Sequence, residues 1–167
     1  MVDFTGGTWR SLIDGEVIGI PDSVVSRPED NNDFISNAEA GGILKLKTDW
    51  PSIGARISAR TEDAPDAFLL LYDEDNDEYN QIDQIDISGL SSGDTFAFDE
   101  VNLTSGDEIV IYLFNSGNDY QLGQRSDGDA YPYEGDDIDI IGRWSDGPGD
   151  GNIHAINDIG NPDNIFD

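Results

Sequence analysis

Between residues 52 and 60 apolar and polar side chains alternate, Ile53, Ala55, Ile57 and Ala59 interleaving with Arg56, Ser58 and Arg60. A period of two suits a half-buried strand and does not gather on one face of a helix. Residues 42–48 repeat the pattern, with Leu44 and Leu46 set against Lys45 and Lys47. The runs AFLLLY at 67–72 and EIVIYLF at 108–114 are apolar at both parities, which predicts central strands covered on each side. Further strands are expected at 79–87, 95–98, 120–122, 137–143 and 152–159, with 8–20 as a first pair. Clusters of Gly, Asn, Asp and Ser at 88–94, 104–107 and 115–118 supply turns. Such turns recur in sandwiches and barrels every ~8–12 residues. No segment carries a helical period. The expected fold class is all-β: a two-sheet antiparallel β-sandwich, jelly-roll-like, of about 8–10 strands. No long repeat or hydrophilic linker divides the chain. A single domain over 1–167 is expected, with 1–20 as an N-terminal attachment segment if it is not the first strand pair.

Charge narrows the setting. The chain has 36 acidic and 8 basic residues, a formal charge of −28, with 27 Asp, 9 Glu and only two lysines. Disordered chains reach such acidity by lacking apolar residues. This one is 37% hydrophobic, with three Trp, six Tyr and seven Phe, so it should fold. Molar salt shortens the Debye length to about 3 Å and relieves the self-repulsion. The acidity therefore reads as adaptation to a very salty solvent, and it argues against nucleic acid, whose binders gather basic residues on one face. There is no Cys, hence no disulfide and no thiolate metal site. Residues 1–7 lack the basic and apolar regions of a signal peptide. No apolar run approaches the ~18 residues needed to span a bilayer. Folding in a cytoplasm is expected.

Candidate chemistry is sparse. Gly89-Leu90-Ser91-Ser92-Gly93 matches G-x-S-x-G, but the strand expected at 95–98 stands where a nucleophile elbow needs a helix. His154 is the only histidine, too few for a multi-histidine metal centre. With 36 acids, a carboxylate pair at glycosidase spacing arises by chance and selects nothing. No catalytic residue is expected. Asp73, Asp75 and Asp77 form a D-x-D-x-D run that could converge on a structural Ca²⁺ or Mg²⁺, although Glu78 and Gln84 depart from the EF-hand pattern. Aspartates also cluster at 127–139 and at Asp146 and Asp150. Tyr131, Tyr133 and Trp144 lie in or beside loops and are candidates for glycan contact or for capping an end of the core. Four of the eight cations, Lys45, Lys47, Arg56 and Arg60, fall on two consecutive strands joined by Thr48-Asp49-Trp50-Pro51. If those strands form a hairpin, the four share one face with Trp50 at its tip, a candidate interface with an acidic neighbouring subunit.

The phrases Ile20-Pro21-Asp22-Ser23-Val24-Val25-Ser26-Arg27-Pro28-Glu29-Asp30-Asn31, Asp86-Ile87-Ser88-Gly89-Leu90 and Val101-Asn102-Leu103-Thr104-Ser105-Gly106-Asp107 resemble small β-sandwich domains of haloarchaeal tailed viruses and prophages. Those domains serve as capsid decorations, turrets, tail fibres and adhesins. The resemblance covers residues 20–161 and rests on turn grammar, so it transfers no functional residue. It implies a non-enzymatic virion structural protein, assembled in the host cytoplasm. Its partners would be further copies of itself, other virion proteins and a host surface glycoprotein or glycan, with neither nucleic acid nor membrane insertion. The alternative is a carbohydrate-binding or adhesion module of a halophilic cell-surface protein.

Overall fold

The computed structural model describes residues 2–5, 8–11, 17–19, 21–26, 33–36, 39–58, 66–114, 121–124, 131–145, 147–149 and 155–166. Of these, 2–5, 8–11, 17–19, 33–36, 121–124 and 149 are described as backbone only. In chain order the elements are β1 (Val2–Thr5), β2 (Thr8–Ser11), β3 (Val17–Gly19), β4 (Val24–Ser26), β5 (Asp33–Ser36), β6 (Glu39–Leu46), β7 (Ile53–Ile57) and β8 (Asp66–Asp73). They continue with β9 (Glu78–Asp86), β10 (Thr95–Phe98), β11 (Glu108–Phe114), β12 (Gln121–Gln124), β13 (Tyr133–Glu134), β14 (Ile138–Trp144), β15 (Pro148–Gly149), β16 (Ile156–Gly160) and a one-turn helix, α1 (Pro162–Ile165).

The body is the antiparallel two-sheet sandwich that the alternation predicts. The large sheet runs β13-β14-β6-β11-β8-β9, with β15 paired to β14, and the small sheet runs β10-β7-β16-β4. The chain passes from sheet to sheet, from β6 to β7 to β8 and again from β9 to β10 to β11. Two smaller sheets, β1-β2-β3 and β12-β5, pair with neither. Between the layers lies the main core. Leu44, Leu46, Leu69, Ile109, Ile111, Leu113, Ile138 and Ile140 from the large sheet meet Ile53, Ala55, Ile57, Phe96, Phe98, Ile156 and Ile159 from the small one. The two runs apolar at both parities are β8 and β11, adjacent interior strands of the large sheet.

Strands β6 and β7 do not form the expected hairpin. Leu44 and Leu46 face the same core as Ile53, Ala55 and Ile57, but from opposite sheets. The intervening segment is therefore an arch between layers. Trp50 lies inside that arch, fully buried, exchanging backbone hydrogen bonds with Leu103 at 2.8 and 3.0 Å. Its indole N–H is buried without a partner. Helix α1 was not foreseen either. Asn161 caps it, accepting from the Asp163 N–H, and Pro162 opens its first turn. It packs on the outer side of the small sheet, where Gly54 leaves room for Pro162 and Ile165.

Short carboxylates hold the turns. Asp49, Asp73, Asp86, Asp94, Asp107 and Asp139 accept backbone N–H groups from Ser105, Asp75 and Asn76, Ser88, Ser91, Thr104 and Gly135 respectively. At Asp73, Asp86, Asp94 and Asp107 the carboxylate reaches a backbone N–H two or three residues away, where glutamate overshoots. That geometry gives a local reason for the excess of Asp over Glu, beside solvent adaptation.

Candidate functional site: a concave aromatic face

The outer face of the large sheet carries a second apolar cluster. Ile43, Val110 and Leu70 stand side by side across β6, β11 and β8, and all three are buried. Around them, six rings make successive contacts: Tyr72 with Tyr79, Tyr79 with Trp144, Trp144 with Tyr112, Tyr112 with Phe68, and Phe68 with Phe114, at centroid separations of 4.9, 5.1, 5.8, 5.1 and 5.8 Å.

One of these contacts fixes the shape of the sheet. Tyr79 is on β9 and Trp144 on β14, with β8, β11 and β6 between them. Neighbouring strands lie about 4.8 Å apart, so four steps across a flat sheet span roughly 19 Å. Rings 5.1 Å apart require the sheet to curl toward this side and close over the aliphatic row. A β-bulge on each flank bends the strands that must curl. One leaves Ile82 unmatched in β9 and the other leaves Ile141 unmatched in β14, and both side chains turn toward solvent. Gly41 sits opposite both Tyr112 and Trp144, so those rings stack over a position with no side chain.

Three of the four polar ring tips are hydrogen-bonded at the rim. Tyr79 donates its hydroxyl to Glu108 Oε1 at 2.5 Å, Tyr72 to Asp77 Oδ1 at 2.6 Å, and the Trp144 indole N–H to Glu39 Oε2 at 2.8 Å. Burial raises the Tyr79 phenol well above its usual value, and Glu108 adds to the shift. Burial likewise pushes Tyr112 up to about 12, with Glu39 contributing. For Tyr72 the hydrogen bond to Asp77 is the main cause of a raised value. The folded chain therefore keeps Tyr79 and Tyr112 protonated above pH ~10, where an unfolded chain releases those protons. Their stabilisation is complete below that pH and is lost as pH rises through the folded values. Ultraviolet titration of the native protein should show two late phenols that join the others in denaturant. A native curve unchanged by Tyr79→Phe and Tyr112→Phe would contradict this.

The residues singled out in the sequence do not assemble as expected. Tyr131 and Tyr133 pack against the main core, while Trp144 belongs to the outer cluster, so the three form no shared glycan platform. Asp73 accepts from Asp75 N, Asn76 N and Asn76 Nδ2, which lowers its pKa, and Asp77 accepts from Tyr72. With two of its three carboxylates engaged inside the hairpin, the Asp73, Asp75, Asp77 run is a turn, and no group of potential metal ligands occurs among the described residues. Ser91 lies exposed in the turn before β10. His154, Asp127, Asp129, Asp146, Asp150 and Arg60 lie outside the described residues.

The cationic strip is also dispersed. Lys45 and Lys47 belong to the large-sheet side, where Lys47 pairs with Asp139 at 2.6 Å and donates to Gly135 O at 2.9 Å. Arg56 is on the small sheet, 3.2 Å from Asp158 and donating to Ile165 O at 2.6 Å. With Trp50 in the core, Lys45, Lys47, Trp50 and Arg56 cannot act as one contact face. Arg56 instead ties α1 to the sheet. Arg56→Glu should cost about 1–2 kcal/mol, allowing for its partial exposure, and should leave self-association unchanged. Melting and sedimentation measured together check both halves.

Comparison with known proteins finds no matching family model, no matching curated protein and no matching solved structure. No helix among the described residues is long and apolar enough to cross a membrane.

Proposed function

We propose that this chain is a non-enzymatic structural protein of the particle of a halophilic archaeal virus, a capsid decoration, turret or tail-fibre module. The observation that carries the reading is the large sheet, whose two central strands are covered on both faces, by the main core and by the chain's own rings. Such a body is rigid and displays its surface, as a particle component must. The acidic balance suits exposure to concentrated salt, and the turn phrases at 86–90 and 101–107 supply the resemblance to virus domains. Host contact, where it occurs, would use the exposed ends and loops. Quantitative proteomics of gradient-purified particles tests this. The chain should co-sediment with the major capsid protein at a fixed copy ratio set by the particle's symmetry. Recovery only from the envelope of uninfected cells would replace this reading with the cell-surface adhesion module.

A further inference from the structure

We infer that Asn102 is a site of N-linked glycosylation. Of the twelve asparagines in the chain, only Asn102 has Ser or Thr two positions on, in Asn102-Leu103-Thr104. The fold can carry a sugar at this tripeptide once it has been added. Leu103, its middle residue, is buried and held to Trp50 by both backbone hydrogen bonds, while Asn102 and Thr104 on either side are exposed. Asn102 has a φ of 47°, a left-handed conformation that asparagine tolerates at a bend. Its amide nitrogen makes one long hydrogen bond, 3.3 Å to Glu100 O within the same loop, which leaves an N–H toward solvent. A sugar on that nitrogen would project from the end of the sandwich without disturbing either core.

In the reaction Asn102 Nδ2 bonds to the anomeric carbon of a phosphate-activated sugar. The anomeric carbon–oxygen bond to phosphate breaks, the nucleotide or lipid phosphate departs with the electron pair, and one amide proton passes to a base on the transferase. The donor is a sugar nucleotide or a lipid-linked glycan. Both present the same glycosyl phosphate chemistry. Since Leu103 is pinned in the folded state, transfer precedes closure of this loop. The inference goes beyond the structural role and does not depend on it.

The test is peptide mass spectrometry of the chain produced in a haloarchaeal host, on a fragment containing residues 100–107. Wild type should carry added sugar mass on Asn102, retained in Thr104→Ser and lost in Thr104→Ala. Asn102→Asp should also lose it, and this variant keeps a residue that tolerates the left-handed backbone. A single added sugar would identify the nucleotide donor, and a preassembled oligosaccharide the lipid carrier. An unmodified wild-type peptide, or added mass that survives Thr104→Ala, would overturn the assignment.

Discussion

Moved from molar to about 0.1 M chloride at neutral pH, the protein should lose several kcal/mol of stability, a large part of the ~5–15 kcal/mol typical of a folded domain. The cause is a net charge of −28 on one compact body. At 0.1 M the Debye length is about 10 Å, so neighbouring carboxylates feel one another; at 1 M it is about 3 Å. The ion pairs among the described residues, Lys47–Asp139 and Arg56–Asp158, are part-exposed, and screening them costs at most about 1 kcal/mol each. Repulsion therefore wins. NaCl and KCl should act alike at equal ionic strength, because the effect is screening.

Acid adds a second signature. Lowering pH in dilute salt removes charge and should first stabilise the fold. The Asp73 and Asp86 carboxylates, held below their usual range chiefly by the Asn76 and Ser88 side chains, contribute stability that is full above pH ~3.9. That contribution is lost as pH falls through their folded values, so the profile should rise and then fall. A melting temperature insensitive to chloride would remove the halophilic account of the composition.

The strands were the legible part of the sequence. Residues 95–98 coincide with β10, and the runs apolar at both parities are the interior strands β8 and β11 of the large sheet. Alternation says that one face of a strand is buried, not which sheet the strand joins. Leu44 and Leu46 followed by Ile53, Ala55 and Ile57 fit a hairpin and an arch equally well. A hairpin would put Trp50 at an exposed tip; the arch puts it in the core. Helix α1 has only four residues, too few for a helical period, yet Asn161-Pro162-Asp163 is a cap-and-first-turn signal that could have marked it.

The aromatic face was half visible. Phe68, Leu70 and Tyr72 share a parity on β8, as do Val110, Tyr112 and Phe114 on β11, which puts those rings on one side. That Tyr79 and Trp144 would meet above them depends on two bulges, and neither Ile82 nor Ile141 looks unusual in an alternating pattern. The D-x-D-x-D run is ambiguous for a related reason. Its spacing serves turn capping as well as cation binding, and in the fold Asp73 accepts backbone N–H groups and Asp77 a tyrosine hydroxyl.

The position most sensitive to a single methyl group should be Gly41. It lies on β6 in register with Tyr112 of β11 on one side and Trp144 of β14 on the other. A Cβ there would overlap backbone atoms, Ile111 O and Tyr112 Cα, which no side-chain rotation can clear. Gly41→Ala must therefore shift β6 against β11, the pair at the middle of the large sheet, and push apart the Tyr112 and Trp144 rings. Overpacked sites usually cost about 1–3 kcal/mol; with backbone as the obstacle, about 3 kcal/mol or more is expected. Gly142→Ala is the internal control. It lies on the same concave face, but the atoms nearest its added methyl are those of the Ile43 side chain at ordinary contact distance, 3.5 Å or more, so its cost should stay below about 1 kcal/mol. Denaturant unfolding in molar salt measures both. Near-ultraviolet circular dichroism should lose the stacked-ring signal in the Gly41 variant and keep it in the Gly142 variant. Equal stabilities would show that the rings do not depend on the bare backbone at Gly41.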